Sequence, residues 1–341
     1  MRTLWLGFLC VALAGCGSND SNADAASGGT AGSGGAAGAA GSGGSAGSAG
    51  AGGSAGAAPV LDPALFDCTF SGIPDRVSPI PITCATDNTC TEKLVSGHRG
   101  AGGSIGVIAP EDTVSAVKAA IALGVDYVET DPRPTLDGKL VNLHDTTVDR
   151  TTDGSGEASQ MTLAEIQALH IDAAKFPGDF SCERVPTLEQ ILTTARGKVH
   201  VLVDANKTDR VDLLVQAIQT TDTLEWAIFD TDSVAKIQEA LALEPKLLIM
   251  VRISDQAELD SALQTFAGHP PVLVELHDGA SPKLLAGPVH AAGHRVMTNT
   301  FGTDVAAGFG DNPELYAEPY DNGVDVVQTD RPDLVLRYLG R

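Results

Sequence analysis

The sequence has 341 residues, enough for one large domain with additional segments. Its 44 acidic residues outnumber its 22 basic ones and give a formal net charge of −22 at pH 7. This balance argues against nonspecific binding to nucleic acid, which needs basic patches. The net charge does not exclude an anionic substrate, because a bound divalent cation can make the local charge of a binding site positive.

Residues 1–15 have the features of an export signal. Arg2 is a short basic region, and residues 4–14 are apolar but too few to span a bilayer as a stable helix. Residues 13–16 resemble a bacterial lipobox, so we expect cleavage before Cys16, a diacylglycerol on its thiol and anchoring in the cell envelope. Gly17, rather than Asp, favours the outer membrane. The alternative is an ordinary buried hydrophobic helix.

Residues 16–58 form a low-complexity segment. From Ala25 to Ala58 every residue is Ala, Gly or Ser except Thr30, so the segment cannot bury enough apolar surface to fold. We interpret it as a flexible tether with a root-mean-square reach of about 30 Å.

A lead-in rich in Pro and Cys occupies residues 59–92, before the catalytic region at 93–341. Four cysteines remain beyond the signal and the lipid site, which favours two disulfides in an exported chain and leaves three possible connectivities. We expect them to staple the lead-in to the domain, since no Cys-x-x-Cys metal motif occurs. These cysteines are Cys68, Cys84, Cys90 and Cys182.

Strand and helix patterns alternate after Lys93. Strands are predicted at residues 93–98, 125–131, 139–144, 199–206, 225–230, 246–254, 271–278, 294–300 and 323–330. Helices are predicted at 113–124, 161–171, 187–197, 209–221, 232–243, 256–266 and 281–293, with a last short helix after the final strand. About eight strand-helix units in roughly 250 residues predict a closed TIM (β/α)₈ barrel rather than a doubly wound sheet. No G-x-G-x-x-G follows the first strand, which weakens a dinucleotide-binding fold.

Polar residues cluster at the predicted C-terminal ends of the strands, where barrel enzymes place their chemistry. Glu129 and Asp131 point the same way because side chains alternate along a strand. Two carboxylates on one face repel each other unless a proton or cation neutralises them, and oxygen ligands suit Ca²⁺ or Mg²⁺. The alternative is a pair of solvated acids on an edge strand. Other polar strand ends are His98, Arg99, His144, Asp145, Asp204, Glu275, His277, Thr298 and Asn299.

Asp137-Gly138 is a tight-turn signal that folds residues 139–144 back and brings His144 to the acids. His98 ends the first strand. Two histidines beside a cation suit phosphodiester displacement, one as base and one as acid. Arg99 offers paired donors to a phosphate, or an ion pair to a barrel carboxylate. The Gly-rich stretch GHRGAGGSIG could cradle phosphate through backbone N–H groups, or be a mobile loop.

These residues carry a family resemblance over positions 97–339. The motifs are His98-Arg99-Gly100, Pro110-Glu111-Asp112-Thr113, GVDYVETD, Thr135-x-Asp137-Gly138, His144-Asp145, Arg150-Thr151-Thr152 and GVDVVQTDRPDLV. In this order they resemble the glycerophosphodiester phosphodiesterase family.

The resemblance implies a hydrolase that cleaves a small glycerophosphodiester to glycerol 3-phosphate and an alcohol. It implies a divalent cation on Glu129, Asp131 and Asp204, the last in place of the usual Glu. It implies catalytic roles for His98 and His144 and phosphate binding by Arg99.

The sequence departs from the family pattern at three places. Asp112 replaces Asn, and since Asp can cap the following helix we expect little change. Asn206 stands where the family has Lys, so Lys207, one residue later, is the candidate phosphate-binding lysine. Met297 replaces a Trp, and loss of an aromatic wall puts the choice of substrate in doubt.

Two other functions stay open. A phospholipase D-like or sphingomyelinase D-like enzyme would act on intact lipid and would need an apolar rim at the barrel mouth, to which Ile105, Val107 and Ile108 could contribute. A surface lipoprotein that binds phosphodiesters without turnover is the third. The sequence does not specify an oligomeric state.

Overall fold

The computed structural model describes residues 61–277 and 279–341. The predicted signal peptide, the lipid site at Cys16 and the tether lie outside the described residues. So do Pro59 and Val60, the first residues of the lead-in. Among the described residues, no helix combines the length and the apolar character needed to cross a bilayer.

Ten strands are found in the described part of the chain. They are β1 (Leu94–Gly97), β2 (Tyr127–Thr130), β3 (Pro132–Pro134), β4 (Leu140–Asn142), β5 (His200–Asp204), β6 (Ala227–Thr231), β7 (Leu248–Ile253), β8 (Leu273–Leu276), β9 (Val296–Asn299) and β10 (Val326–Thr329).

The same residues form ten α-helices and five short 3₁₀ helices. The α-helices are α1 (Val114–Leu123), α2 (Leu163–Gln167), α3 (Leu188–Ala195), α4 (Val211–Thr220), α5 (Val234–Leu243), α6 (Gln256–Thr265), α7 (Pro282–Ala291), α8 (Phe301–Gly310), α9 (Ala317–Asp321) and α10 (Pro332–Tyr338). The 3₁₀ helices are Pro63–Leu65, Ile82–Thr86, Ala158–Gln160, Ala205–Lys207 and Pro313–Tyr316.

Eight strands close into a parallel barrel in the order β1-β10-β9-β8-β7-β6-β5-β2. The predicted (β/α)₈ fold is therefore confirmed. β3 and β4 pair antiparallel in a separate hairpin, as the Asp137-Gly138 turn signal predicted. Strand β3 and helix α9 were not predicted because three and five residues are too few to show a period. Helix α8 was not predicted because it contains Gly302, Gly308 and Gly310, and glycine is a poor helix former.

The barrel interior has two layers, because every second residue of a strand points inward. The lower layer is apolar and fully buried, and consists of Leu94, Tyr127, Leu202, Ile228, Met250, Leu273, Met297 and Val326. The upper layer, two residues further along each strand, is polar and consists of Ser96, Glu129, Asp204, Asp230, Arg252, Glu275, Asn299 and Gln328. The outward-facing residues of the strands pack against the helices in one large apolar core.

The lead-in closes the lower end of the barrel. Ile80, Cys84 and Ala85 pack against the lower interior layer, and Arg76 binds Asp126 at 2.5 Å. The two predicted disulfides are present. Cys68–Cys182 ties the lead-in to the segment before α3, whereas Cys84–Cys90 closes a short loop within the lead-in.

Candidate active site

Three buried carboxylates meet at the barrel mouth. Glu129 on β2 and Asp204 at the end of β5 belong to the upper interior layer, and Asp131 follows β2 directly. One oxygen of each lies within 4.8 Å of the others. They are less than 7% exposed, which excludes the alternative of solvated acids on an edge strand.

The electrostatics of these acids favour a bound cation. Burial, and then the charges of Asp131, Asp112 and Asp204, raise the pKa of Glu129 well above its ordinary value. A hard divalent ion would relieve this repulsion, because its preferred ligands are carboxylate oxygens. The residues therefore fit the predicted Ca²⁺ or Mg²⁺.

His98 stands beside this cluster at the end of β1. Its Nδ1 lies 2.6 Å from Oδ1 of Asp330, and its Nε2 lies 3.8 Å from Oε2 of Glu129. Asp330 follows β10 directly and was not among the predicted site residues. The motif GVDVVQTDRPDLV contains it, but the sequence alone gave no reason to pair it with His98.

His144 reaches the same cluster from the hairpin. Its Nδ1 lies 2.9 Å from Oδ1 of Asp145, and its Nε2 lies 3.4 Å from Nζ of Lys207. Arg133, on β3 of the same hairpin, donates to the backbone carbonyl of His144 and so ties the end of the returning strand to β3. Burial lowers the pKa of His144, as do the charges of Arg99 and Lys207, against the opposing effect of Asp131.

Lys207 lies within the site although its motif position is shifted by one. Its Nζ is 3.8 Å from Oδ1 of Asp131. Asn206, at the usual lysine position, accepts a hydrogen bond from the hydroxyl of Thr231 at 2.6 Å. The turn after β5 therefore directs Lys207, and not residue 206, towards the acids.

Arg99 is buried and makes an ion pair, one of the two roles considered for it. Its Nη1 donates to Glu111 at 2.8 Å, and its Nε lies 3.4 Å from Asp131. Its backbone N–H donates to Glu129 at 3.0 Å from a left-handed conformation with φ of 51°. Such strained backbone is typical of functional sites.

Glu111 and Arg150 link the two histidine-bearing segments, and neither was predicted as a site residue. Arg150 binds Glu111 through two nitrogens, at 2.9 and 2.7 Å, and Asp145 through its Nε at 2.7 Å. One network thus runs from Arg99 to the carboxylate that holds His144. The motif residues on both sides are recognisable in sequence, but their contact is not.

The expectation that Asp112 caps the following helix is wrong. Thr113 is the N-cap of α1, and its hydroxyl accepts from the N–H of Ala116 at 3.0 Å. Asp112 is instead buried near Asp131, and burial raises the pKa of its carboxyl well above its ordinary value. The departure from Asn therefore adds an acid next to the cluster.

Met297 does not replace an aromatic wall of the site. It belongs to the lower interior layer and is fully buried there with Tyr127 and Leu202. The residue two positions further on, Asn299, is the one that reaches the mouth on this strand. Loss of the family Trp at position 297 therefore changes core packing in this chain.

The comparisons with known proteins agree with this geometry. The family model described as "Glycerophosphoryl diester phosphodiesterase family" matches residues 98–334, well over half of the chain. The chain belongs to this family. The predicted family is thereby confirmed, and with it the enzyme class, a glycerophosphodiester phosphodiesterase.

Similar proteins include the Bacillus subtilis protein YhdW, which is 28% identical over 253 residues, 71% of this chain and 96% of that one. A crystal structure of a glycerophosphoryl diester phosphodiesterase from Parabacteroides distasonis is 23% identical, with a TM-score of 0.66 over 76% of this chain and 90% of that one. An Oleispira antarctica phosphodiesterase in complex with the product sn-glycerol-3-phosphate is 21% identical, with a TM-score of 0.61 over 75% of this chain and all of that one.

Proposed function

We propose that this family member hydrolyses glycerophosphodiesters to glycerol 3-phosphate and an alcohol, with a divalent cation and two histidines. The observation that carries the proposal is the pairing of two histidines, each hydrogen-bonded to a carboxylate, with one buried cluster of three acids. The product complex of the Oleispira antarctica phosphodiesterase supports the choice of product.

Glu129, Asp131 and Asp204 would hold the cation, Ca²⁺ or Mg²⁺. When bound, this ion supplies Lewis-acid polarisation of the phosphoryl oxygens. Arg99 and Lys207 both reach Asp131, so they can donate to a phosphate placed against the cluster. The positive charges of these two side chains also offset part of the acid charge before substrate binds.

The histidines perform the proton transfers. One Nε2 takes the proton from the nucleophile, which is water or the glycerol hydroxyl of the substrate itself. In the second case the new P–O bond closes a cyclic phosphodiester, which water then opens to glycerol 3-phosphate. The other histidine donates its proton to the leaving alcohol oxygen as the P–O bond breaks. Asp330 accepts from Nδ1 of His98, and Asp145 accepts from Nδ1 of His144. The Nε2 atom of His98 therefore faces Glu129, and the Nε2 atom of His144 faces Lys207.

We also propose that the protein is lipid-anchored at Cys16 and exported to the cell envelope. The motif at residues 13–16 and the glycine-rich segment after it support this proposal. The two disulfides between residues 68 and 182 agree with an oxidising compartment.

Cleavage of intact lipid is the second candidate. Val107 in the loop after β1 is 47% exposed, and the neighbouring Ile105 and Ile108 are partly exposed. An apolar rim of this kind can contact acyl chains. Release of a head group from sphingomyelin vesicles, without activity on soluble glycerophosphodiesters, would favour this candidate.

The test is glycerol 3-phosphate release from glycerophosphocholine and glycerophosphoethanolamine by the full chain, with Ca²⁺, Mg²⁺ or EDTA. We expect cation-dependent release, and a loss on the order of a hundredfold or more in His98→Ala and His144→Ala. Arg210→Met, which removes an exposed arginine paired with Asp212, is the control and should keep full activity. Near wild-type rates in either histidine variant would contradict the roles given to them.

A further inference from the structure

The glycine-rich loop after β1 binds the carboxylate of Asp330 through its backbone N–H groups. From the sequence, this loop was expected either to bind phosphate or to be mobile. In the structure the N–H of Ile105 donates to Oδ2 of Asp330 at 3.1 Å, and the N–H of Gly103 also donates to this carboxylate. The loop therefore uses its backbone donors on Asp330.

The contact is so close that it requires glycine. A Cβ atom at Gly103 would lie 2.6 Å from Oδ1 of Asp330 and 2.9 Å from Nδ1 of His98. At Gly102, whose φ is 128°, it would lie 2.4 Å from the carbonyl oxygen of Asp330. All three distances are shorter than a carbon atom tolerates, so a side chain at either glycine would displace Asp330, and one at Gly103 would also displace His98.

Asp330 is also fixed from the opposite side. Its backbone N–H donates to Oδ2 of Asp304 at 2.7 Å, and Oδ1 of Asp304 accepts from Tyr316 at 2.6 Å and Thr329 at 2.5 Å. Asp330 is only 2% exposed. Its carboxylate therefore has little freedom to follow a movement of His98, and the histidine must conform to it.

This arrangement determines which nitrogen of His98 carries the proton. A carboxylate accepts hydrogen bonds, so Nδ1 at 2.6 Å from Asp330 carries the hydrogen. In the neutral ring Nε2 is then the free acceptor, and it faces Glu129. Burial raises the pKa of Asp330, but the hydrogen bonds from His98, Ile105 and Gly103 outweigh burial and lower it overall.

We infer that Asp330, held by the glycine-rich loop, is the positioning residue of His98 and fixes its Nδ1–H tautomer for proton transfer at Nε2. The inference rests on the proposed function for its kinetic consequence, but the tautomer follows from geometry alone. Asp145 cannot hold His144 as strictly, because its side chain is 30% exposed and shared with Arg150.

The experiment combines kinetics and NMR on the full chain. Asp330→Ala should lower kcat by about a hundredfold or more while KM for glycerophosphocholine changes by less than about threefold. Gly103→Ala should lower kcat by about tenfold or more, because its Cβ would displace Asp330 and His98 although the change removes no reacting group. Gly268→Ala is the matched control, because no atom lies within 4 Å of the added Cβ, and it should keep full activity.

Nitrogen-15 NMR of labelled histidines reads the tautomer directly, with the His98 signals assigned by their loss in His98→Gln. We expect protonated Nδ1 and unprotonated Nε2 in the neutral ring, and a shift of the proton towards Nε2 in Asp330→Ala. Asp330→Asn, which preserves shape, is the second variant if Asp330→Ala is poorly folded. Its amide oxygen would accept from the N–H of Ile105 and its NH₂ would donate to Nδ1 of His98, so we expect the ring proton to move to Nε2.

Two results would overturn the inference. One is a folded Asp330→Ala protein whose kcat lies within about threefold of wild type. The other is a wild-type His98 with its proton on Nε2. If wild-type protein releases no glycerol 3-phosphate, the proposed function fails, and the NMR measurement still decides the role of Asp330.

Discussion

The two sides of the barrel mouth carry similar sets of buried acids and neutralise them differently. On the β6–β8 side, Arg252 lies 2.5 Å from Asp230, 2.9 Å from Glu275 and 3.6 Å from Asp204. On the β2–β5 side, the three-acid cluster faces Arg99 and Lys207 at longer distances, 3.4 and 3.8 Å from Asp131.

The difference distinguishes a structural network from the candidate cation site. A guanidinium fixed between carboxylates satisfies their charge permanently, and these acids raise the pKa of Arg252 although its burial lowers it. Burial raises the pKa of Asp230 to about 6, while the ion pair with Arg252 opposes the shift. Acids without such a fixed partner keep their oxygens for an exchangeable cation. Asp204 belongs to both groups and connects them.

The largest expected effect comes from neutralising one acid of the three-acid cluster on the β2–β5 side. Glu129→Gln should lower glycerol 3-phosphate release by about a thousandfold, since the cation contributes several kcal/mol to the chemical step. Without added cation its free energy of unfolding should equal or exceed that of wild type, because the change removes buried like-charge repulsion. Product assays and urea unfolding measure the two. Undiminished, cation-dependent release in Glu129→Gln would show that the cation binds elsewhere.

Removing the guanidinium of Arg252 on the β6–β8 side should mainly lower the stability of the protein. Arg252→Met leaves Asp230 and Glu275 buried without their partner, which typically costs about 3–5 kcal/mol in the free energy of unfolding. The control Arg210→Met breaks an exposed pair with Asp212 and should cost less than about 1 kcal/mol. Urea unfolding of both variants gives the comparison.

A double variant sharpens this prediction. Adding Asp230→Asn to Arg252→Met should recover part of the lost stability, because one uncompensated charge disappears. A loss below about 1 kcal/mol in Arg252→Met would mean that the ion pairs of this side contribute little. Equal stability of the single and double variants would mean that Asp230 is not the charge that Arg252 compensates.

The smallest expected effect is stabilisation of the protein by an added divalent cation, which should depend on the acids of the β2–β5 side and not on Arg252. Ca²⁺ or Mg²⁺ at a hundredfold excess over its dissociation constant should raise the free energy of unfolding of wild type by about 2.7 kcal/mol, and EDTA should reverse this. Thermal unfolding should show the same stabilisation in Arg252→Met and none in Glu129→Gln. A cation response that survives in Glu129→Gln, or is absent from wild type with both ions, would contradict the assignment of the two sides.

Much of the fold and part of the site could be predicted because they depend on local pattern. Alternating strands and helices predict the barrel, and a period of two puts Glu129 and Asp131 on one face. The Asp137-Gly138 turn returns His144 to the mouth, and a capping box starts α2 at Thr162 and Glu165, as the structure shows. Each of these signals lies within a few residues of sequence.

The missed residues depend on contacts between distant segments. Arg252 neutralises acids on three other strands, and no local pattern distinguishes it from an exposed strand-end arginine. Arg150 was part of a recognised motif, but its bridge between Glu111 and Asp145 requires the folded hairpin. The cysteines show the same limit, since their number predicts two disulfides and only the fold selects Cys68–Cys182 and Cys84–Cys90.

The sequence by itself determined the (β/α)₈ architecture, the family and the candidate metal and histidine residues, because these follow from periodicity and short motifs. Tertiary structure decided how the candidates are held. Pairing of β1 with β10 sets Gly97 opposite Thr329, so that the next residues, His98 and Asp330, meet across 232 positions of chain. Barrel closure fixes that register, and closure is a property of all eight strands together.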